Sequence, residues 1–155
     1  MRELTDELMA VEIEREQQKK AAVQVLGQAG ISLMNENRII ATDLYSDQRD
    51  HDVHAFFRSR SNPQKVIHLQ VYSGFSSGDN LCVATREMDY QKLAEVRSNM
   101  HRLGGPSIGN EVAAVTRRVM EQTFIPNSPD AVEDLLKVEF PEVPFMLDGI
   151  SLRES

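Results

Sequence analysis

Tryptophan is absent from this 155-residue chain, cysteine occurs once, and aromatic residues make up only 6% of it. Each shortage narrows what the protein can be. With few aromatics, the core must rest on Val, Leu, Ile and Met, the seven methionines filling gaps between stiffer side chains. One thiol, Cys82, cannot close an internal disulfide, and small secreted domains usually carry several. No apolar run approaches the ~20 residues that a membrane-spanning helix needs. The first twenty residues, MRELTDELMAVEIEREQQKK, are strongly charged and lack the apolar segment of a signal peptide. These shortages point to a cytoplasmic protein with no membrane partner.

A basic surface is missing as well. The net charge is −7. The one locally basic stretch, with Arg49, Arg58, Arg60 and Lys65, also holds Asp50 and Asp52, and RSRSNPQK interleaves no stacking aromatics. Nucleic-acid binding, which draws on a clustered basic stripe and stacking platforms, is excluded. What the chain does have is ample core material, 41% apolar against 26% charged. That suits one domain over residues 1–155, since a chain of this length buries about two-thirds of its unfolded surface.

The patterning predicts an α+β fold. It places a helical region over residues 1–30, with one helix at 6–26 that Thr5 caps and Gly27 or Gly30 ends. Leu4, Leu8 and Val11 share a face that Ala22, Val25 and Leu26 resume, with the polar EREQQKK between them. Residues 31–88 read as an antiparallel β-meander of four to five strands. ISLM and RIIATDLY form a hairpin about NEN, and DVHAFFRSR, ambiguous between strand and helix, leans to strand. KVIHLQVY alternates Ile67, Leu69 and Val71 against His68 and Gln70, and NLCVATREM follows the mobile loop SGFSSGDN.

Residues 89–138 read as two to three helices. The first starts at Asp89, carries Tyr90, Leu93, Val96, Met100 and Leu103 on its buried stripe, and stops at Gly104. The second runs over 110–124 with Asn110 as its cap and Val112, Val115 and Val119 as its stripe. The third starts at Ser128, with Pro129 in the first helical position. Residues 139–155 form an extended apolar tail. Helices on one face of the meander would leave the other face open for docking.

The densest group of reactive side chains is RDHDVH, residues 49–54. Asp50, His51, Asp52 and His54, joined by His68, are the residues from which a metal-dependent hydrolase would be built. The adjacent His51–Asp52 pair does not make an HD phosphohydrolase, because that family needs an upstream histidine and none precedes His51. H-E-x-x-H and G-x-S-x-G are absent, and LGGPSIGNE puts Asn110 and Glu111 where a phosphate loop needs Lys and Ser/Thr. Cys82, between Leu81 and Val83, reads as a small buried side chain.

No catalytic signature and no cofactor emerge. The leading expectation is a small acidic protein-binding module (an adaptor, inhibitor or chaperone-like factor) acting on another protein, as a homodimer. Its contact residues are Leu4, Leu8 and Val11 in the helix, with Phe145, Met146, Leu147 and Ile150 in the tail. The alternatives are the hydrolase above and a small-ligand sensor with its pocket under SGFSSGDN.

Overall fold

The structure, a computed structural model, describes residues 2–100, 105–144, 146–147 and 150–151. The chain runs α1 (Arg2–Asn35), β1 (Ile39–Ser46), β2 (Val53–Ser59), β3 (Lys65–Val71), a 3₁₀ turn (Ser73–Phe75) and β4 (Asn80–Asp89). Then come α2 (Tyr90–Met100), α3 (Ile108–Val115), β5 (Arg118–Pro126), α4 (Pro129–Lys137), and the two-residue strands β6 (Met146–Leu147) and β7 (Ile150–Ser151). β1 to β5 make one antiparallel sheet in chain order. The α+β class is as expected, and so is the strand reading of residues 53–59.

α1 is longer than its sequence signals. It passes through Gly27 and Gly30 and ends at Asn35, so Ile31–Met34 is a helical turn and the ISLM hairpin does not form. Leu33 is in phase with Leu26 and Ala29, and all three are fully buried. That tertiary contact outweighs the glycine penalty of about 1 kcal/mol each. Gly30 serves close packing: a Cβ there would lie 2.6 Å from Thr42 Oγ1 on β1. The stop comes from Asn37, in the left-handed region at φ 62°. Its amide donates to Met34 O and that of Arg38 to Leu33 O, each at 2.9 Å, which is a Schellman closure.

The second correction concerns residues 108–126. α3 begins at Ile108 with Ser107 as its cap, the Ser107 hydroxyl accepting from the Asn110 amide, and it ends at Val115. Residues 118–126 then pair with the outer edge of β4 as the fifth strand. Val112, Val115 and Val119 fit a helical stripe by spacing. The open edge of β4 offers backbone partners to Arg118–Pro126, and such pairing decides between states that local propensity leaves close. The third helix is as read, with Ser128 accepting from Ala131 N and Pro129 in the first turn. Asp89 closes β4, and its carboxylate accepts from Arg117. Leu93 and Val96 are buried on α2 as expected, while Gly104 lies outside the described residues.

Both faces of the sheet are covered over β2 to β4, whereas β5 is largely exposed, with Val119 at 54% and Phe124 at 63%. α1 and α4 cover one, where Val53, Ala55, Phe57, Ile67, Leu69, Val71, Leu81 and Val83 meet Leu26, Leu33, Val132, Leu136 and Phe140. α2 and α3 cover the other, where Phe56, Val66 and Met88 meet Leu93, Val96, Ile108 and Val112. The expected free docking face is therefore filled across β2 to β4.

The tail begins by packing on its own domain. Phe140 is fully buried beside Phe57, and the Val143 amide donates to Asn37 O. Among the described residues no helix is long and apolar enough to cross a membrane.

Candidate functional site

Strand alternation brings the site together. β2 sends Val53, Ala55 and Phe57 toward α1, so His54 and Phe56 point to the α2/α3 face. The register sets Phe56 opposite His68 and His68 opposite Arg86, which puts His54, His68, Gln70 and Arg86 on that second face. Its apolar end is Phe56, Val66 and Met88; its other end is polar and equally buried. His54 and His68 are both 0% exposed and stack with ring centroids 5.1 Å apart.

These groups form one chain. Arg86 Nη1 lies 3.3 Å from His68 Nδ1, His68 Nε2 lies 2.8 Å from His54 Nδ1, and His54 Nε2 lies 2.8 Å from Asp50 Oδ2. Guanidinium nitrogens can only donate, so Arg86 fixes the proton pattern. His68 Nδ1 accepts, His68 Nε2–H donates to His54 Nδ1, and His54 Nε2–H donates to Asp50. Both rings are neutral in this pattern. A second arm closes the circuit: Arg86 Nη1 donates to Gln70 Oε1 at 2.8 Å, and Gln70 Nε2 donates to Asp52 Oδ2 at 2.8 Å. The Asp52 amide in turn donates to Asp50 Oδ1.

The loop between β1 and β2 is built around the same carboxylates. Asp47 accepts from Arg49 N and from Ile108 N, and Asp50 accepts from Gly109 N. With Ser107 accepting from Asn110, three amides in the first turn of α3 are satisfied, and the two carboxylates suit its positive end. A Cβ at Gly109 would lie 3.2 Å from both Asp50 Oδ2 and Gln70 Oε1, so the absent side chain lets the helix start sit on the circuit.

Burial pushes the His68 pKa well below its ordinary value, helped by the charge of Arg86 and by any charge that His54 takes up. Burial pushes the Asp50 carboxyl up, but His54 and the amides of Asp52 and Gly109 outweigh it and the net shift is down. Asp52 goes the other way, raised by burial and by the Asp50 charge against the hydrogen bonds of Gln70 and Ser73. The Cys82 thiol, buried as read from its neighbours, is raised by burial and by Asp52.

Of the five residues named for a metal, the structure joins Asp50, His54 and His68 in one chain. Asp52 sits on the parallel arm. His51 is exposed at φ 62° and lines a cleft of about 280 Å³ with Arg15, Asp50, Asp52 and Tyr72. Asp47, Asp50 and His54 do converge, their ligand atoms within 4.8 Å of one another. The donor set does not fit a cation, because Ile108 N–H and Gly109 N–H point at the carboxylate oxygens and His54 presents an N–H there. Asp47, Gln70, Arg86 and Gly109 were missed in the sequence. Gln70 and Arg86 signalled themselves only as polar residues inside otherwise apolar strands.

The helix residues named for interaction lie elsewhere. Residues 5–17 of α1 are all exposed, with Leu8 at 59%, Met9 at 55%, Val11 at 51% and Ile13 at 56%. Leu4 lies on α1 by its backbone. Met146, Leu147 and Ile150 lie on β6 and β7 by theirs, and Phe145 falls outside the described residues. No protein-family model matches this chain, and no curated protein or solved structure is significantly similar to it.

Proposed function

We propose that the protein is a cytoplasmic protein-binding module, an adaptor, inhibitor or chaperone-like factor, that self-associates through the first half of α1. The observation that carries this reading is the bare apolar group Leu8, Met9, Val11 and Ile13 on a helix that has left its own sheet. From Ala22 onward α1 is anchored by buried side chains, whereas residues 5–17 are exposed. A helix of roughly 17 residues without tertiary packing is marginal in water, and contiguous exposed apolar surface usually marks an interface.

The charge pattern favours a second copy as the occupant. Glu3, Asp6, Glu7, Glu12 and Glu14 against Arg2 make the outer part of the arm acidic, and Arg15, Lys19 and Lys20 against Glu16, which pairs with Lys19, make its base basic. An antiparallel pair centred near Val11 sets each acidic end beside the other's basic end, and Met9 near the partner copy's Ile13. Such a contact is isologous and closes as a two-fold dimer. Phe145, Met146, Leu147 and Ile150 are the tail residues to test for contact with a different partner.

Sedimentation equilibrium of the full chain tests the reading. The expected mass is twice 17.5 kDa at micromolar concentration, weakening as salt screens the charged ends. Leu8→Glu with Val11→Glu is expected to give a monomer whose melting temperature, extrapolated to zero concentration, matches the parent. A parent that stays monomeric throughout sinks the proposal.

A further inference from the structure

Independently of the arm, we propose that the buried chain Arg86–His68–His54–Asp50 is an acid sensor, in which Arg86 holds both histidines neutral and uptake of one proton breaks the chain and loosens the polar end of the sheet. The argument is one of proton direction. Every hydrogen in the chain points from Arg86 toward Asp50. A proton added to His54 must sit on Nδ1 and face His68 Nε2, which then has to accept. His68 would have to move its own proton to Nδ1, 3.3 Å from Arg86 Nη1, where two donors would confront each other. A proton added to His68 meets Arg86 directly at the same nitrogen. Neither site can take it with all the present contacts kept.

Asp50 offsets a charge on His54, at 2.8 Å, but among the described residues no carboxylate is bonded to His68. Around the histidines, β1 contributes Tyr45, opposite His54, and β2 contributes Phe56, whose ring lies 4.9 Å from His68. α3 contributes the amides of Ile108 and Gly109 and no charged side chain against the chain. β3 contributes neutral Gln70, and β4 contributes Arg86, a second cation. The carboxylates bonded to the network are at its far end, Asp50 on His54, Asp52 on Gln70 and Asp47 on α3, and Asp43, opposite Phe56 on β1, is taken by Arg97 of α2. An imidazolium at His68 would therefore be buried between an aromatic ring and a guanidinium. The contact that gives way is His68–Arg86, because Arg86 has Gln70 Oε1 at 2.8 Å and Tyr72 Oη at 3.3 Å to turn to.

The sign follows from linkage. His68 has a folded pKa below its unfolded value of 6.5, so the unfolded chain takes up the proton first and stability falls as pH drops below about 6.5. Asp50, lowered from 3.8, loses its contribution only as pH falls through the carboxylate range. Asp52, raised, changes the opposite way, gaining as it is protonated. The histidine effect lies at higher pH and can be read apart from both.

The test is imidazole ¹⁵N NMR on the full-length protein, with urea unfolding across the same pH range. At neutral pH both His54 and His68 are expected as the Nε2–H tautomer. Between about pH 7 and about pH 5 the unfolding constant should rise roughly tenfold or more for one proton taken up. Arg86→Met removes the opposing donor and charge, so His68 should take up its proton at higher pH and the stability step should shrink. Where that variant does not fold, the tautomers of the parent decide. An Nδ1–H tautomer at His68, flat stability from pH 7 to 5, or unchanged titration in Arg86→Met overturns the proposal.

Discussion

The two faces of the sheet use the same strands to opposite ends. Toward α1 and α4, the strand centres are apolar, with Val53, Ala55, Phe57, Ile67, Leu69, Val71, Leu81 and Val83 facing the helices, and burial stabilises the contact. Toward α2 and α3, only one end is apolar, and the other inters two imidazoles, an amide and, partly, a guanidinium. The first face tolerates changes of pH and depends on volume. The second depends on direction, since each buried polar group there is stable only while its partner presents the complementary donor or acceptor. A sheet covered on both sides can thus be rigid on one and conditional on the other.

Substitutions separate the two. Phe57→Ala, in the apolar face beside Phe140, is expected to cost about 3–5 kcal/mol at any pH from 5 to 8, read from urea midpoints. Gln70→Ala, which strips one arm from both Arg86 and Asp52, is expected to cost about 1–3 kcal/mol, less than Phe57→Ala. Equal and pH-independent losses would remove the contrast between the faces. Ser128→Ala, at the cap of α4 on the apolar side, should cost about 1 kcal/mol by the same measurement.

Much of this architecture was legible in the chain. The alternation of Ile67, Leu69 and Val71 against His68 and Gln70 reports a strand because side chains two apart share a face whatever else surrounds them. Ser128 and Pro129 start a helix by local chemistry alone, and Glu14–Gln17 are exposed as the lack of an apolar anchor in EREQQKK implies, although Lys19 in that stretch is buried. Gly30 misled because the sequence shows a missing side chain and not the Thr42 hydroxyl that occupies its space. Residues 118–126 misled because Val119, at helical spacing from Val112 and Val115, also suits an edge strand, and the deciding partners on β4 lie 31 to 46 positions away in the chain.

The candidate site divides along the same line. Local sequence placed Asp50 and His54 together and marked His68 as polar on its strand, because adjacency and alternation are properties of a few consecutive residues. The pairing of β2 with β3 and β3 with β4 brought His54 to His68 and His68 to Arg86, fourteen and eighteen positions apart. The docking of α3 then buried them, with Gly109 against Gln70. Residue types and their faces were determined by the sequence itself. Which faces meet, and which polar groups lose their water, depended on contacts between distant segments, and only the tertiary structure decided those.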